Sequence, residues 1–136
     1  MTFDFKDVWL LHSIYASEKP ELGADLRDII AYADYANHDI LTYEELANSL
    51  PKLLSASLVV QLDKNLATTD IYKTWWTSKF EQKKSVYVLK ALDEAKIFLN
   101  NTFETVKLPE IKIINIQQED WNEAYADYSK EFGKYL

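Results

Sequence analysis

Apolar residues recur along most of this chain at helical spacing, with one short change of period near its middle. Residues 4–17, DFKDVWLLHSIYAS, place Phe5, Val8, Trp9, His12, Tyr15 and Ala16 on one helical face. Leu10, Leu11 and Ile14 make the rest of that surface apolar, which predicts a central, largely buried helix. Pro20 and Gly23 punctuate a break over 18–23. A second helix is expected from Ala24 to Ala36, with Leu26, Ile29, Ile30 and Ala33 facing inward. Thr42 followed three residues later by Glu45 is a capping-box pattern that starts a third helix over 43–56. Its stripe is Leu46, Leu50, Leu53 and Leu54, and Pro51 within it predicts a kink or a break near Ser49.

The period then shortens. LVVQL (58–62), a turn at 63–65 and LATT (66–69) predict a β-hairpin. Asp70 is expected to cap a fourth helix running to Phe80, and 85–101 predicts a fifth with Val86, Leu89, Leu92 and Leu99 on one side. IKIINI (111–116), opened by Pro109, predicts a short strand. Residues 118–133 predict a last helix with the stripe Trp121, Ala124, Tyr125, Tyr128 and Phe132. The expected fold is mainly α with a small β-hairpin (α+β), in a single domain over 1–136.

Three helices followed by a two-stranded hairpin is the element order of a winged helix-turn-helix domain, and residues 5–72 resemble that superfamily. The stretch EELANSLPKLLSASLVVQLDKNLATTD carries the resemblance, as a third helix, its exit, a wing and the start of another helix. The chain is also similar to small bacterial proteins of unassigned activity through His38, Ile40, Thr42, Glu44, Glu45 and Leu46. The resemblance implies a winged-helix-like N-terminal part, with 73–136 as a helical extension holding one short strand. Ser57 departs from the pattern, standing where the superfamily usually has glycine after the third helix. The wing is short and carries only Lys64 as a basic group.

Charge changes what the resemblance is worth. The chain of 136 residues has net charge −7, with four bases against ten acids in residues 1–62. Nucleic-acid affinity rests on Lys and Arg neutralising phosphates. In the resemblance the third helix enters the major groove, yet its outer face is expected to carry Glu44, Glu45, Asn48, Ser49, Lys52 and Ser55. Two glutamates would face phosphate, with Lys52 alone to compensate. A solvated polar face is the expected reading, with duplex DNA bound by a dimeric transcriptional regulator, through Lys52 and Lys64, as the alternative.

The one basic stretch, Lys73 to Lys90, mixes five lysines with Trp75, Trp76 and Phe80. Trp75, Trp76, Lys79, Lys83 and Lys84 are the candidate interaction surface, because two adjacent tryptophans do not both point inward from one helix and Trp anchors interfaces. The expected partner is a second copy or another protein, met through this segment or the aromatic last helix. His12 is expected as a hydrogen-bonded core histidine, and His38 as a loop residue bonded locally. Two histidines and no cysteine provide no paired ligand motif. Two glycines in 136 residues are too few for a phosphate loop or nucleophile elbow. No catalytic residue, metal or cofactor is expected. Without a leader pattern, a membrane-length apolar run or any cysteine, a cytoplasmic location with no membrane association is expected.

Overall fold

The structure, a computed structural model, describes residues 2–83, 85–111 and 113–133; the side chain of Phe132, named above in the last stripe, lies outside the described residues. The element order is α1 (Phe5–Ser17), α2 (Leu26–Asn37), α3 (Tyr43–Ser55), β1 (Val59–Leu62), β2 (Asn65–Thr68), α4 (Asp70–Phe80), α5 (Val88–Thr102) and α6 (Gln118–Gly133). The mainly helical fold with one antiparallel hairpin matches the expected class. Among the described residues no helix is long and apolar enough to cross a membrane.

Helix α1 is the axis, as its all-round apolar surface predicts, with Val8, Trp9, Leu10, Leu11 and Ile14 all buried. Its start is fixed by Asp4, whose carboxylate accepts from the Asp7 N–H at 3.1 Å while Asp7 accepts from the Asp4 N–H at 2.8 Å. One buried cluster draws on all six helices and both strands, from Val8 and Leu50 to Tyr72, Leu92 and Trp121. The C-terminal helices therefore complete the core that the N-terminal elements begin.

Helix α3 opens with the expected capping box. The Thr42 hydroxyl accepts from the Glu45 N–H at 3.1 Å, and the Glu45 carboxylate accepts from the Thr42 N–H at 2.9 Å. The helix runs unbroken through Pro51 to Ser55. Its exit closes with two hydrogen bonds, Ser57 N–H to the Leu54 carbonyl at 3.1 Å and Leu58 N–H to the Leu53 carbonyl at 2.9 Å. This crossed pair requires a left-handed residue between them, and Ser57 supplies it at φ 57°. The exit expected of glycine is thus made by serine.

The hairpin pairs Val59 with Thr68 and Leu62 with Asn65. On the far side of β2, Ala24 exchanges two backbone hydrogen bonds with Leu66, at 2.7 and 3.0 Å, tying the α1–α2 connection to the sheet. Gly23 is required there: its φ is 72°, and a Cβ would lie 2.8 Å from the Leu66 carbonyl oxygen.

Two expectations are corrected. Helix α4 is entered from Thr69, not Asp70, and Thr69 makes no side-chain cap; its hydroxyl donates to the Ser57 carbonyl at 2.6 Å. Residues 111 and 113–116 form no strand. A strand needs a neighbour's backbone, whereas this segment is offered side chains. Asn115 N–H donates to the Gln61 side-chain oxygen at 2.6 Å, and Lys64 Nζ donates to the Asn115 carbonyl at 2.6 Å.

Candidate functional site

The segment after α5 decides what α3 can present. It crosses the helix as a strap, held by the Ser55 hydroxyl on the Pro109 carbonyl and by the Tyr43 hydroxyl on the Ile116 carbonyl at 2.7 Å. Trp121 then closes over the start of α3, its ring N–H donating to the Leu41 carbonyl at 3.0 Å. Ser49 and Ser55, expected on the outer face, are buried. Of all α3 residues only Glu44 and Asn48 are exposed, with Lys52 partly so.

The two lysines of the DNA alternative are both engaged inside the molecule. Lys52 Nζ lies 2.6 Å from Asp7 Oδ2 and donates to the Thr2 carbonyl at 3.2 Å. Lys64 Nζ lies 3.3 Å from Asp120 Oδ2, besides its bond to the strap. Glu45 is held by Lys6 at 2.8 Å. Burial alone would raise the Glu45 carboxyl, but hydrogen bonds from Lys6 and Thr42 hold it below its usual range.

What remains between the start of α1 and α3 is an open cleft of about 600 Å³, lined by Asp4, Lys6, Asp7, Thr42, Glu44, Glu45, Asn48, Ser49 and Lys52. Four carboxylates against two ammonium groups leave it anionic. Asp7 borders it but is itself only 1% exposed, and its buried Oδ1 has no hydrogen-bond partner among the described residues. Such a buried, unsatisfied acceptor costs about 1–3 kcal/mol. Asp7 was not singled out from the sequence, although Asp4-x-x-Asp7 ahead of an apolar run is itself a cap-and-N3 signal.

The candidate aromatic surface is half-buried at its two tryptophans. Trp75 stacks on Phe98 with ring centroids 5.0 Å apart, while Trp76 packs at 4.3 Å from His12 and 4.4 Å from Phe80. One ring reaches toward α5 and the other toward α1, the two meet edge-on at 6.3 Å, and both are half-buried. Lys79 and Lys83 are exposed, with Lys83 Nζ 5.5 Å from the Phe80 ring; Lys84 lies outside the described residues. On α6, Trp121 and Ala124 are buried, and Tyr128 donates to Asp34 at 2.6 Å. That bond and burial push the Tyr128 hydroxyl up to about 12.

His12 is the core histidine expected. Its Nδ1 shares a hydrogen bond with the Tyr72 hydroxyl at 2.8 Å and its Nε2 one with Tyr32 at 3.1 Å. Burial pushes its pKa down to about 4. The ring is therefore neutral at pH 7, and one tyrosine donates to it while the other accepts. His38 closes α2 in the left-handed conformation, its backbone N–H donating to the Asp34 carbonyl at 2.7 Å. No group of three or more His, Asp or Glu is arranged to hold a metal ion among the described residues.

A second surface lies on the outer side of the hairpin. Val60 and Leu62 point to solvent at 43% and 39% exposure, and Leu22 beside them is 64% exposed. Leu62 and Ala67 share a groove of about 620 Å³ with Tyr15, Pro20 and Gly23. Comparison with protein-family models, with curated proteins and with solved structures finds no match to this chain.

Proposed function

We propose that this chain is a winged-helix-like scaffold that works through protein contacts, first by self-association across the outer face of its hairpin. The observation that carries this reading is the covered third helix. Its outer face offers a partner only Glu44 and Asn48, and its one lysine is paired with a buried carboxylate. Phosphate contacts that would position such a helix on DNA have no cations to make them. The order of three helices and a hairpin, with Ala24 bridged to Leu66, supports the winged-helix-like description. The exposed Val60, Leu62 and Leu22 supply the apolar surface that contacts between proteins use.

Sedimentation over a wide concentration range tests this. Self-association is expected, and the double variant Val60→Lys, Leu62→Lys should abolish it without altering the helical content. A monomer at every concentration would overturn the self-association. Salt-sensitive binding of duplex DNA, weakened by Lys64→Glu, would return the chain to the dimeric regulator reading.

A further inference from the structure

We propose that Tyr72, His12 and Tyr32 form a proton-coupled redox site: a one-electron oxidant acting on Trp76 finally takes its electron from Tyr72, whose phenolic proton passes to His12. The direction of the hydrogen bonds follows from what each hydroxyl can reach. Tyr72 is 0% exposed, and His12 is the one hydrogen-bond partner of its hydroxyl among the described residues. If Nδ1–H donated to Tyr72, the phenolic proton would be buried without an acceptor, at a cost of about 1–3 kcal/mol. Tyr32 is half-buried, so its own proton can go to water. Tyr72 therefore donates to Nδ1, and Nε2–H donates to Tyr32. The lengths agree, 2.8 Å for the O–H donor and 3.1 Å for the N–H donor.

The electron has a path of rings. Trp75 and Trp76 are half-buried, so each keeps an edge open to a soluble oxidant. Their ring centroids lie 5.8 and 6.1 Å from that of Tyr72. Transfer of one electron from Trp76 to the oxidant leaves an indole radical cation. That cation takes an electron from Tyr72 and is restored, while the Tyr72 O–H bond breaks and its proton forms an N–H bond at His12 Nδ1. The products are a neutral tyrosyl radical and an imidazolium. His12 is neutral at pH 7, so its Nδ1 lone pair is free to receive the proton. An oxidised phenol is a far stronger acid than an imidazolium, so the low basicity of this ring is no obstacle. The Nε2 proton faces Tyr32, which gives the charge a route to the surface. Tyr15 shows what the base adds. Its ring centroid is 6.0 Å from Trp76, as near as that of Tyr72, but its hydroxyl has no base among the described residues.

The site is independent of the protein-contact reading above, and two experiments on the full chain test it. Proton–nitrogen NMR of the His12 ring should show Nδ1 bare and Nε2 protonated at pH 7; the reverse tautomer would overturn the site. Flash-generated tris(bipyridine)ruthenium(III) then serves as the oxidant, with transient absorption separating indolyl from tyrosyl radicals. The indolyl signal should decay as a long-lived tyrosyl signal grows, and this step should slow in deuterium oxide because a proton moves with the electron. A radical on an exposed tyrosine such as Tyr35 decays on meeting another molecule, whereas one on Tyr72 is shielded. Tyr72→Phe should therefore remove the long-lived signal and prolong the indolyl one, while Tyr15→Phe and Tyr35→Phe leave both unchanged. A long-lived tyrosyl signal that survives Tyr72→Phe or vanishes with Tyr15→Phe, or an indolyl decay indifferent to deuterium, would overturn the proposal. If Tyr72→Phe fails to fold, the tautomer, the isotope effect and Tyr15→Phe still decide.

Discussion

Replacing Ser57 by glycine should stabilise the protein, and the exit of α3 sets the size of the gain. Ser57 sits at φ 57°, where an L-residue's Cβ crowds the following carbonyl and costs about 1–2 kcal/mol. The conformation is compulsory, because the crossed bonds from Ser57 and Leu58 back to Leu54 and Leu53 close only through it. Glycine removes that strain but gives the unfolded chain more freedom, which offsets about 0.4–1 kcal/mol. The balance is a gain of about 0.5–1 kcal/mol, a rise of roughly 2–4 °C in Tm for a chain of this length. Ser57→Ala is the control: the side chain is exposed, so losing the hydroxyl should change stability by less than about 0.5 kcal/mol. Urea unfolding of the three proteins under one buffer gives the comparison. If the glycine variant were no more stable than the alanine variant, the left-handed exit would carry no strain and the reasoning would be wrong.

Two further outcomes concern the interior. With its pKa lowered from 6.5 to about 4, His12 binds its proton more readily when unfolded, so its contribution to stability is complete above pH 6.5 and is lost as pH falls toward 4. Unfolding midpoints should drop by an equivalent of up to about 3 kcal/mol across that window; His12→Phe should flatten the slope, and an unchanged slope would place its origin elsewhere. Lys52→Met strands the buried Asp7 and should cost about 3–5 kcal/mol. Adding Asp7→Leu should recover most of that, measured as a non-additive double-mutant cycle.

The helices were legible because each is specified locally. The Thr42–Glu45 box and the leucine stripe of α3 lie within one stretch of chain, and the structure follows them to within a residue. The errors arose where the outcome depends on a distant partner. IKIINI alternates like a strand, but whether it pairs depends on what the hairpin edge presents, and that edge presents Gln61's side chain. How the paired tryptophans divide, one ring against Phe98 and one against His12 with both half-buried, is likewise not given by spacing. The pairing of Lys52 with Asp7, 45 residues away, is invisible to spacing. The cleft was half visible: Glu44, Glu45, Asn48 and Lys52 were expected together on one face. That the start of α1 closes its other side was not.

The strap over α3 makes synthesis itself a distinct state of this protein. Ribosomes extend chains at about 5–20 residues per second. Once the hairpin has emerged, Pro109, Ile116 and Trp121 follow some seconds later. In that interval Tyr43 and Ser55 lack the partners that later cover them, and Leu41 faces water where Trp121 will sit. The third helix on which the resemblance rests is covered only once those residues are in place.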